Sequence, residues 1–226
     1  MTKKNIINYV LVPIICACIS LILGMIFDDV FIGTSMLFVG LLNAYYMAIG
    51  KWTNYIFGIL FSIIYAFVCY SNGLYGFLIF TILVYTPIQI IGLINWIKNK
   101  QDNTVLTKSL SFLSGMGLTV LVIVCSFLLG FLLTLIPGQN LAFLDSSSQI
   151  INLCGVFLMS IRHREAWYVW LMNNTVDLII WIINISNNST YSQMAFIVSV
   201  MYFVMNIISL ILWIKIEKKQ KEKVAW

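Results

Sequence analysis

Polar and aromatic residues recur at helical spacing within one apolar stretch, residues 165–184. Their spacing of three and four residues places them on one face of a helix. A carboxylate at bilayer depth costs about 2.5 to 3.5 kcal/mol, so it usually faces a bundle interior or a water-filled cavity. Indole rings, an amide and a carboxylate on a single face are therefore typical of a wall that binds a small polar ligand. The residues of this face are Trp167, Trp170, Asn174, Asp177 and Trp181.

Each of these side chains also has a structural interpretation. Polar residues in membrane helices often join helices through hydrogen bonds that contribute about 0.6 kcal/mol on average. A carboxylate is a poor choice for that task, so we favour a functional role for Asp177, and a role in proton coupling stays open. Trp167 lies near a segment end, where tryptophan often anchors a helix at the membrane interface. We prefer that interpretation for Trp52, Trp96 and Trp213.

The composition indicates a membrane protein with many spans. Of 226 residues, 61% are hydrophobic and 9% are charged, against about 25% charged residues in a typical soluble domain. The five cysteines all lie in apolar segments, so we expect no disulfide framework and no metal site. The pattern predicts an all-α integral membrane protein with eight transmembrane helices. The eight apolar segments are residues 9–27, 30–50, 54–71, 75–96, 110–136, 142–161, 166–185 and 192–214.

Charge divides the segment ends into two classes. If every segment crosses the membrane, all Lys and Arg residues fall on one side, and the other side holds Asp28, Asp29 and Asp145. Because cytoplasmic loops carry the excess of Lys and Arg, we expect both termini in the cytoplasm. The basic tail is then a solvated helix end near anionic lipid. The basic residues are Lys3, Lys4, Lys51, Lys98, Lys100, Lys108, Arg162, Arg164, Lys215, Lys218, Lys219, Lys221 and Lys223.

Segments four and eight contain an internal repeat. Residues 90–98 read IIGLINWIK and residues 207–215 read IISLILWIK, so seven of nine positions match. At the same offset Tyr85 aligns with Tyr202, and Gln89 aligns with Asn206. Segments 2–4 and 6–8 are then two parallel three-helix units, with substrate expected near the midplane between them. The predicted divisions are an extra helix in 1–29, a first repeat in 30–98, a linker helix in 99–140, a second repeat in 141–215 and a basic tail in 216–226.

Further candidate residues follow from this arrangement. An offset of 115 aligns Ser62 with Asp177 across segments three and seven. Ser148 and Asn152 lie four residues apart, one turn into segment six, and we expect them to face the cavity. Pro87 predicts a kink in segment four, because it removes a backbone donor. Asp145 suits a capping role at the start of segment six.

Several chemistries are missing from the sequence. It contains no GxxxxGK[ST] phosphate loop, so ATP hydrolysis by this chain is not expected. The single histidine, His163, lies in a loop between two arginines, and no Ser/His or Cys/His pair falls within the spans. We therefore expect no enzyme activity and no cofactor. The scattered basic residues also argue against nucleic acid as a partner.

The motifs resemble one family of transporters in their order and spacing. The first half supplies TNYIFGILFSIIYAF, NGLYG and PIQIIGLINWIK, and the second supplies LDSSS, RHREAWYVW, NNTVDLIIW and MNIISLILWIK. Over roughly residues 35–215 the chain resembles the PnuC family of vitamin and nucleoside-type transporters. The WxxWxxxN run, with Trp167, Trp170 and Asn174, and the amide of Gln89 before IG carry most of this resemblance.

The resemblance implies a fold and an activity. It implies a 3+1+3 fold similar to the SWEET sugar transporters, with one extra N-terminal helix, in a bacterial cytoplasmic membrane. It also implies facilitated diffusion of nicotinamide riboside, or of thiamine, riboflavin or a deoxynucleoside, with trapping by a cytoplasmic kinase. A cationic ligand suits Asp177. The alternatives are a substrate-binding subunit of an ATP-driven vitamin importer and, less favoured, an embedded enzyme. A homo-oligomer stays open.

The interpretation assigns roles to the candidate residues. Trp170 would stack on the aromatic ring of the ligand, and Asn174, Gln89 and Asn206 would bind its amide or ribose. Asp177 would set the charge preference. The full set of predicted substrate-binding residues is Ser62, Tyr85, Gln89, Ser148, Asn152, Trp167, Trp170, Asn174, Asp177, Tyr202 and Asn206.

Overall fold

The computed structural model describes residues 6–101 and 104–224. In this part of the chain the eight predicted segments form helices, seven of them long and apolar enough to span a membrane. The second is a shorter apolar helix of 17 residues. A two-stranded hairpin, Lys100–Gln101 with Thr104–Val105, lies in the loop before the fifth helix. The helices are α1 Ile7–Ile26, α2 Ile32–Ala48, α3 Asn54–Ser71, α4 Tyr75–Lys98, α5 Phe112–Leu133, α6 Ala142–Ser160, α7 Ala166–Ser186 and α8 Ser192–Val224.

The same pattern of helix packing occurs twice along the chain. Helix α1 packs on α2, α2 on α3, and α3 on α4. In the second half α5 packs on α6, α6 on α7, and α7 on α8. The halves meet where α8 packs against α2 and where α4 packs against α6. The last helix of each half, α4 or α8, therefore lies against a helix of the other half, α6 or α2 respectively. These four helices and α3 and α7 also enclose the cavity described below.

The turns between helices also correspond. After α2 the backbone N–H of Lys51 donates to the carbonyl of Tyr46 at 2.8 Å, and after α6 that of His163 donates to Leu158 at 2.8 Å. These two bonds lie 112 residues apart in the chain. The turns after α3 and α7 correspond at an offset of 115, with bonds from Leu74 to Cys69 at 2.9 Å and from Ser189 to Asn184 at 3.0 Å.

A π-helical turn precedes a proline in two helices, one of them at Pro87, where the sequence predicted a kink. One such turn, Thr81–Tyr85, ends two residues before Pro87 in α4. The other, Ile7–Leu11, ends two residues before Pro13 in α1. A proline has no N–H to give to the preceding turn, so a carbonyl loses its helical partner. In α1 the hydroxyl of Tyr46 donates to the carbonyl of Asn8 at 3.0 Å and replaces that partner.

One end of the bundle collects the basic residues that the structure describes. The backbone N–H of Lys108 donates to the carbonyl of Arg162 at 2.8 Å, which joins the α4–α5 and α6–α7 loops. The guanidinium of Arg164 donates to Glu217 at 2.8 Å. Burial lowers the pKa of His163, although the Glu165 carboxylate opposes that shift.

The segment that carries the basic tail also packs against the rest of the chain, which the prediction of a solvated helix end did not include. Helix α8 continues without a break to Val224, and the side chain of Glu217 is buried. The amide of Gln220 donates to the carbonyl of Val105 at 3.0 Å. Lys3 and Lys4, and the end of the predicted tail at residues 225–226, lie outside the described residues.

Candidate functional site

A cavity of about 140 Å³, with many polar side chains in its wall, lies among α2, α3, α4, α6, α7 and α8. A volume of roughly 10 to 15 Å³ on this measure holds one water, so the cavity has room for several waters or a small organic molecule. All predicted binding residues except Trp167 line it. Their role in binding stays a prediction. The predicted residues on its wall are Ser62, Tyr85, Gln89, Ser148, Asn152, Trp170, Asn174, Asp177, Tyr202 and Asn206.

Asp177 is the charged member of the cavity wall among the described residues. The hydroxyl of Ser148 donates to Oδ1 at 2.5 Å, and the amide of Asn173 donates to Oδ2 at 2.8 Å. Asn173 lies one helical turn before Asp177 on α7, and Ser148 comes from α6. Such charge-assisted bonds stabilise an ionised carboxylate away from bulk water. The two donors hold the carboxylate in place while it lines the cavity.

The first half presents an uncharged counterpart. The amide nitrogen of Gln89 on α4 donates to the hydroxyl oxygen of Ser62 on α3 at 3.2 Å. Gly58 permits this approach, because a Cβ atom there would lie 2.7 Å from Gln89 Oε1. The first half therefore contributes amide and hydroxyl groups and no formal charge.

The two repeated tyrosines bridge the halves. The hydroxyl of Tyr85 on α4 donates to the carbonyl of Gln149 on α6 at 2.7 Å. The hydroxyl of Tyr202 on α8 donates to the side-chain oxygen of Asn43 on α2 at 3.1 Å. Each tyrosine thus bonds the first cavity-forming helix of the opposite half.

Trp170 lines the cavity, whereas Trp167, which was also predicted to bind the substrate, does not. The indole N–H of Trp170 donates to Asn152 Oδ1 at 3.2 Å, and its ring lies against the backbone of Gly155. Trp167 is 0% exposed and packs edge-on against Trp170 and Trp213, with ring centroids 5.4 and 5.6 Å apart. Trp167 therefore supports the cavity wall from behind.

Two other tryptophans are not the interfacial anchors that we predicted. Trp96 and Trp213 are 1% and 0% exposed. Their indole N–H groups donate to the carbonyls of Met159 at 2.9 Å and Met47 at 3.3 Å, each across the junction between the halves. Trp52 is 36% exposed, which agrees with its predicted place at an end of the bundle.

Trp181 packs outside the cavity. It is 0% exposed, and its N–H donates to the hydroxyl of Tyr65 at 3.0 Å. The five-residue face of α7 is thus divided along its length between packing and cavity, which the spacing alone does not reveal.

Several polar or aromatic residues of the cavity wall were missed by the sequence interpretation, among them three asparagines and a tyrosine. Asn43, Asn54, Tyr55 and Asn173 all line the cavity. Asn43 stands alone in the apolar run LLNAYY, which is the same signal that indicated Gln89. Tyr55 lies 115 residues before Trp170, so the offset that aligned Ser62 with Asp177 also predicts this pair.

Asp145 does cap a helix, but the helix is α4 and not its own. Its Oδ2 accepts the backbone N–H of Gly76, the second residue of α4, at 3.0 Å. The residue before α6 is Leu141, in a left-handed conformation and without a side-chain cap. The sequence places Asp145 near the start of segment six. It does not show that the start of another helix, α4, lies closer to the carboxylate in the folded chain.

A family match accompanies this geometry. Residues 30–218 match the family model described as nicotinamide mononucleotide transporter. The chain belongs to this family. Its members are transporters, and the apolar helices make this chain a multi-pass membrane protein. The resemblance to PnuC proteins that the motifs indicated is confirmed.

Individual relatives agree with the family match. A nicotinamide riboside transporter PnuC from Neisseria mucosa is 28% identical over 187 residues, which cover 80% of this chain and 70% of the relative. One of the same name from Haemophilus influenzae is 30% identical over 146 residues, covering 63% and 64% of the two chains. The crystal structure of the vitamin B3 transporter PnuC has a TM-score of 0.79, with 23% identity, over 97% of this chain and 94% of that one. That likeness shows the shared fold.

Proposed function

We propose that this chain is a uniporter for nicotinamide riboside or a closely related cationic nucleoside. The charge of the cavity carries the proposal, because Asp177 is acidic and no Lys, Arg or His lines the described cavity. A pyridinium ring gains from a nearby carboxylate, whereas a phosphate group would lie there without a cationic partner. The cavity therefore favours the riboside over the mononucleotide, in agreement with the names of the two relatives.

The aromatic and amide groups suit the rest of such a ligand. Trp170 offers a flat ring for stacking, with cation–π attraction to a charged pyridinium. The amide nitrogen of Asn174 is buried without a partner among the described residues, so it is available to a carboxamide or ribose oxygen. Gln89 and Asn206 lie on the two closing helices and bind the remaining polar groups.

The chain is proposed to work as two parallel units. Residues 30–98 form the first and 141–215 the second, while 1–29 supplies an extra helix and 99–140 a linker. The repeated turns and cross-half hydrogen bonds support this SWEET-like 3+1+3 arrangement. Rocking of the units around the central site gives alternating access. The protein is proposed to lie in the bacterial inner membrane with its basic end, and therefore both termini, on the cytoplasmic side.

The driving force is proposed to be the substrate gradient. A cytoplasmic kinase that phosphorylates the riboside prevents its return, because the phosphorylated product does not suit a cavity with an acidic wall. The kinase is thus a proposed functional partner that need not contact this chain.

Uptake by the purified chain in liposomes tests the proposal. We expect radiolabelled nicotinamide riboside to equilibrate across the membrane without ATP, and unlabelled riboside to compete for uptake. Nicotinamide mononucleotide, because of its phosphate, and riboflavin, because it is uncharged, are expected to compete weakly. Binding without uptake would instead indicate a substrate-binding subunit of an ATP-driven importer, and preferred uptake of the mononucleotide would contradict the proposal.

A further inference from the structure

A buried carboxylate lies just outside the cavity at the non-basic end of α6. Asp145 is 1% exposed. Its Oδ2 accepts from Gly76 N at 3.0 Å and Gln139 Nε2 at 2.9 Å, and its Oδ1 accepts from Gln149 Nε2 at 3.0 Å. All three partners are donors, so Asp145 acts as an acceptor towards each of them.

Asp145 determines which group donates in the hydrogen bond between Gln149 and Tyr85. Because the NH₂ group of Gln149 faces Asp145, its amide oxygen faces Tyr85. The hydroxyl of Tyr85 donates to Gln149 Oε1 at 2.9 Å and to the Gln149 backbone carbonyl at 2.7 Å. A tyrosine has one hydroxyl hydrogen, and both of these partners compete for it. Only oxygen lone pairs are then left. The side chain of Asn152, whose Oδ1 accepts from Trp170, interacts with one of them, which leaves the other for the cavity.

Tyr202 shows the same polarity through different partners. The NH₂ group of Asn43 donates to the backbone carbonyl of Asn54 at 2.8 Å. The amide oxygen of Asn43 therefore faces Tyr202, whose hydroxyl donates to it at 3.1 Å. A fixed acceptor behind the amide, a backbone carbonyl in one half and a carboxylate in the other, orients both tyrosines alike.

We infer that Asp145 is a positioning residue for ligand binding, which acts through Gln149 to keep the Tyr85 oxygen available as a hydrogen-bond acceptor for the ligand. The inference rests on the proposed function, because nicotinamide riboside carries hydroxyl and carboxamide donors that suit such an acceptor. Asp145 itself does not line the cavity.

Replacing the carboxylate by an amide reverses the chain of bonds. In Asp145→Asn the remaining oxygen is required by Gly76 N–H, so the new NH₂ group faces Gln149. Gln149 must then turn its oxygen towards residue 145 and its NH₂ towards Tyr85. That NH₂ occupies a lone pair of Tyr85 and competes with the ligand. Since a neutral hydrogen bond contributes about 0.5 to 1.5 kcal/mol, the expected loss of affinity is about 2- to 10-fold.

The decisive experiment is a rescue measured by calorimetric titration of purified full-length protein with nicotinamide riboside. Asp145→Asn weakens binding, and Asp145→Asn/Gln149→Met recovers affinity because the competing amide is gone. In a Tyr85→Phe background, Asp145→Asn causes no further loss. Wild-type affinity in Asp145→Asn, or a double variant as weak as Asp145→Asn, overturns the inference. If the wild type does not bind the riboside, the proposed function fails instead.

Three further variants separate an effect on ligand positioning from an effect on folding. Asp29 accepts the backbone N–H of Gly33 at 2.8 Å at the start of α2, at the same end of the bundle. Asp29→Asn is the matched control and is expected to lower the unfolding temperature without changing affinity. If Asp145→Asn does not fold, Asp145→Ser is used, in which the hydroxyl can still accept from Gly76 but no longer holds the Gln149 amide in one direction. A smaller loss of affinity is expected there, and Asp145→Ser/Gln149→Met should recover it.

Discussion

The two halves of the cavity wall differ in charge although their helices pack in the same order. Ser62 and Asp177 occupy corresponding places on α3 and α7, 115 residues apart. Ser62 accepts one amide donor from Gln89, whereas Asp177 accepts a hydroxyl from Ser148 and an amide from Asn173. The cavity wall thus has a neutral hydrogen-bond acceptor in the first half and a charged acceptor in the second half. We expect this difference to orient a ligand with one cationic end, its ring towards the second half.

The largest effect is expected from removing that charge. Asp177→Asn should weaken binding of nicotinamide riboside about 10- to 100-fold, because interactions with a charged group contribute about 1.5 to 3 kcal/mol. Calorimetric titration measures the change. Ser62→Ala is the matched variant in the other half and should cost less than 10-fold. Equal losses in the two variants would show that the halves do not differ as proposed.

We also expect the aromatic residue of the second half, Trp170, to contribute more to ligand binding than its counterpart in the first half, Tyr55. Trp170→Leu is expected to weaken riboside binding about 10-fold, since aromatic pairing adds about 0.5 to 1.5 kcal/mol to the burial of apolar area. Tyr55→Leu, at the corresponding position of the first half, should cost less. Calorimetric titration of both variants supplies the readout, because the ligand-quenched tryptophan is itself absent from Trp170→Leu. A greater loss in Tyr55→Leu would place the ring against the first half.

The tyrosines should act independently of each other. Tyr202→Phe removes one acceptor and is expected to weaken binding about 2- to 10-fold. Its anchor is Asn43, so its effect should add to that of Asp145→Asn within about 0.5 kcal/mol. A double-mutant cycle measures this coupling. Strong coupling of Asp145 to Tyr202 would mean that Asp145 acts through the whole bundle rather than through Tyr85.

The smallest effect on affinity is expected at Trp167. Trp167→Phe should leave riboside affinity within about 2-fold, because the indole lies behind the wall, while removal of buried apolar atoms lowers stability by about 1 to 3 kcal/mol. Thermal unfolding and titration of one preparation separate the two effects. A loss of affinity as large as that in Trp170→Leu would indicate that Trp167 contacts the ligand.

Hydropathy and polar residues in apolar segments predicted much of this arrangement. The helices follow from apolar length, and Gln89, Asn174 and Asp177 were recognisable because polar groups are costly in a membrane. The position of Trp167 behind the cavity wall and the contact of Asp145 with α4 were not predictable from the sequence. Helical spacing defines a face, but it does not show where a cavity ends along that face. Nor does it show that the carboxylate of Asp145 reaches the start of α4, since that contact depends on how the halves meet.

The most direct test of the charge asymmetry compares two ligands of nearly the same shape. Oxidised nicotinamide riboside carries a positive ring, and its reduced form does not. We expect the wild type to bind the oxidised form about 10-fold or more tightly than the reduced form, and this ratio to approach one in Asp177→Asn. An undiminished preference for the cationic ring in Asp177→Asn would contradict the assignment of Asp177 as the residue that selects the ligand by charge.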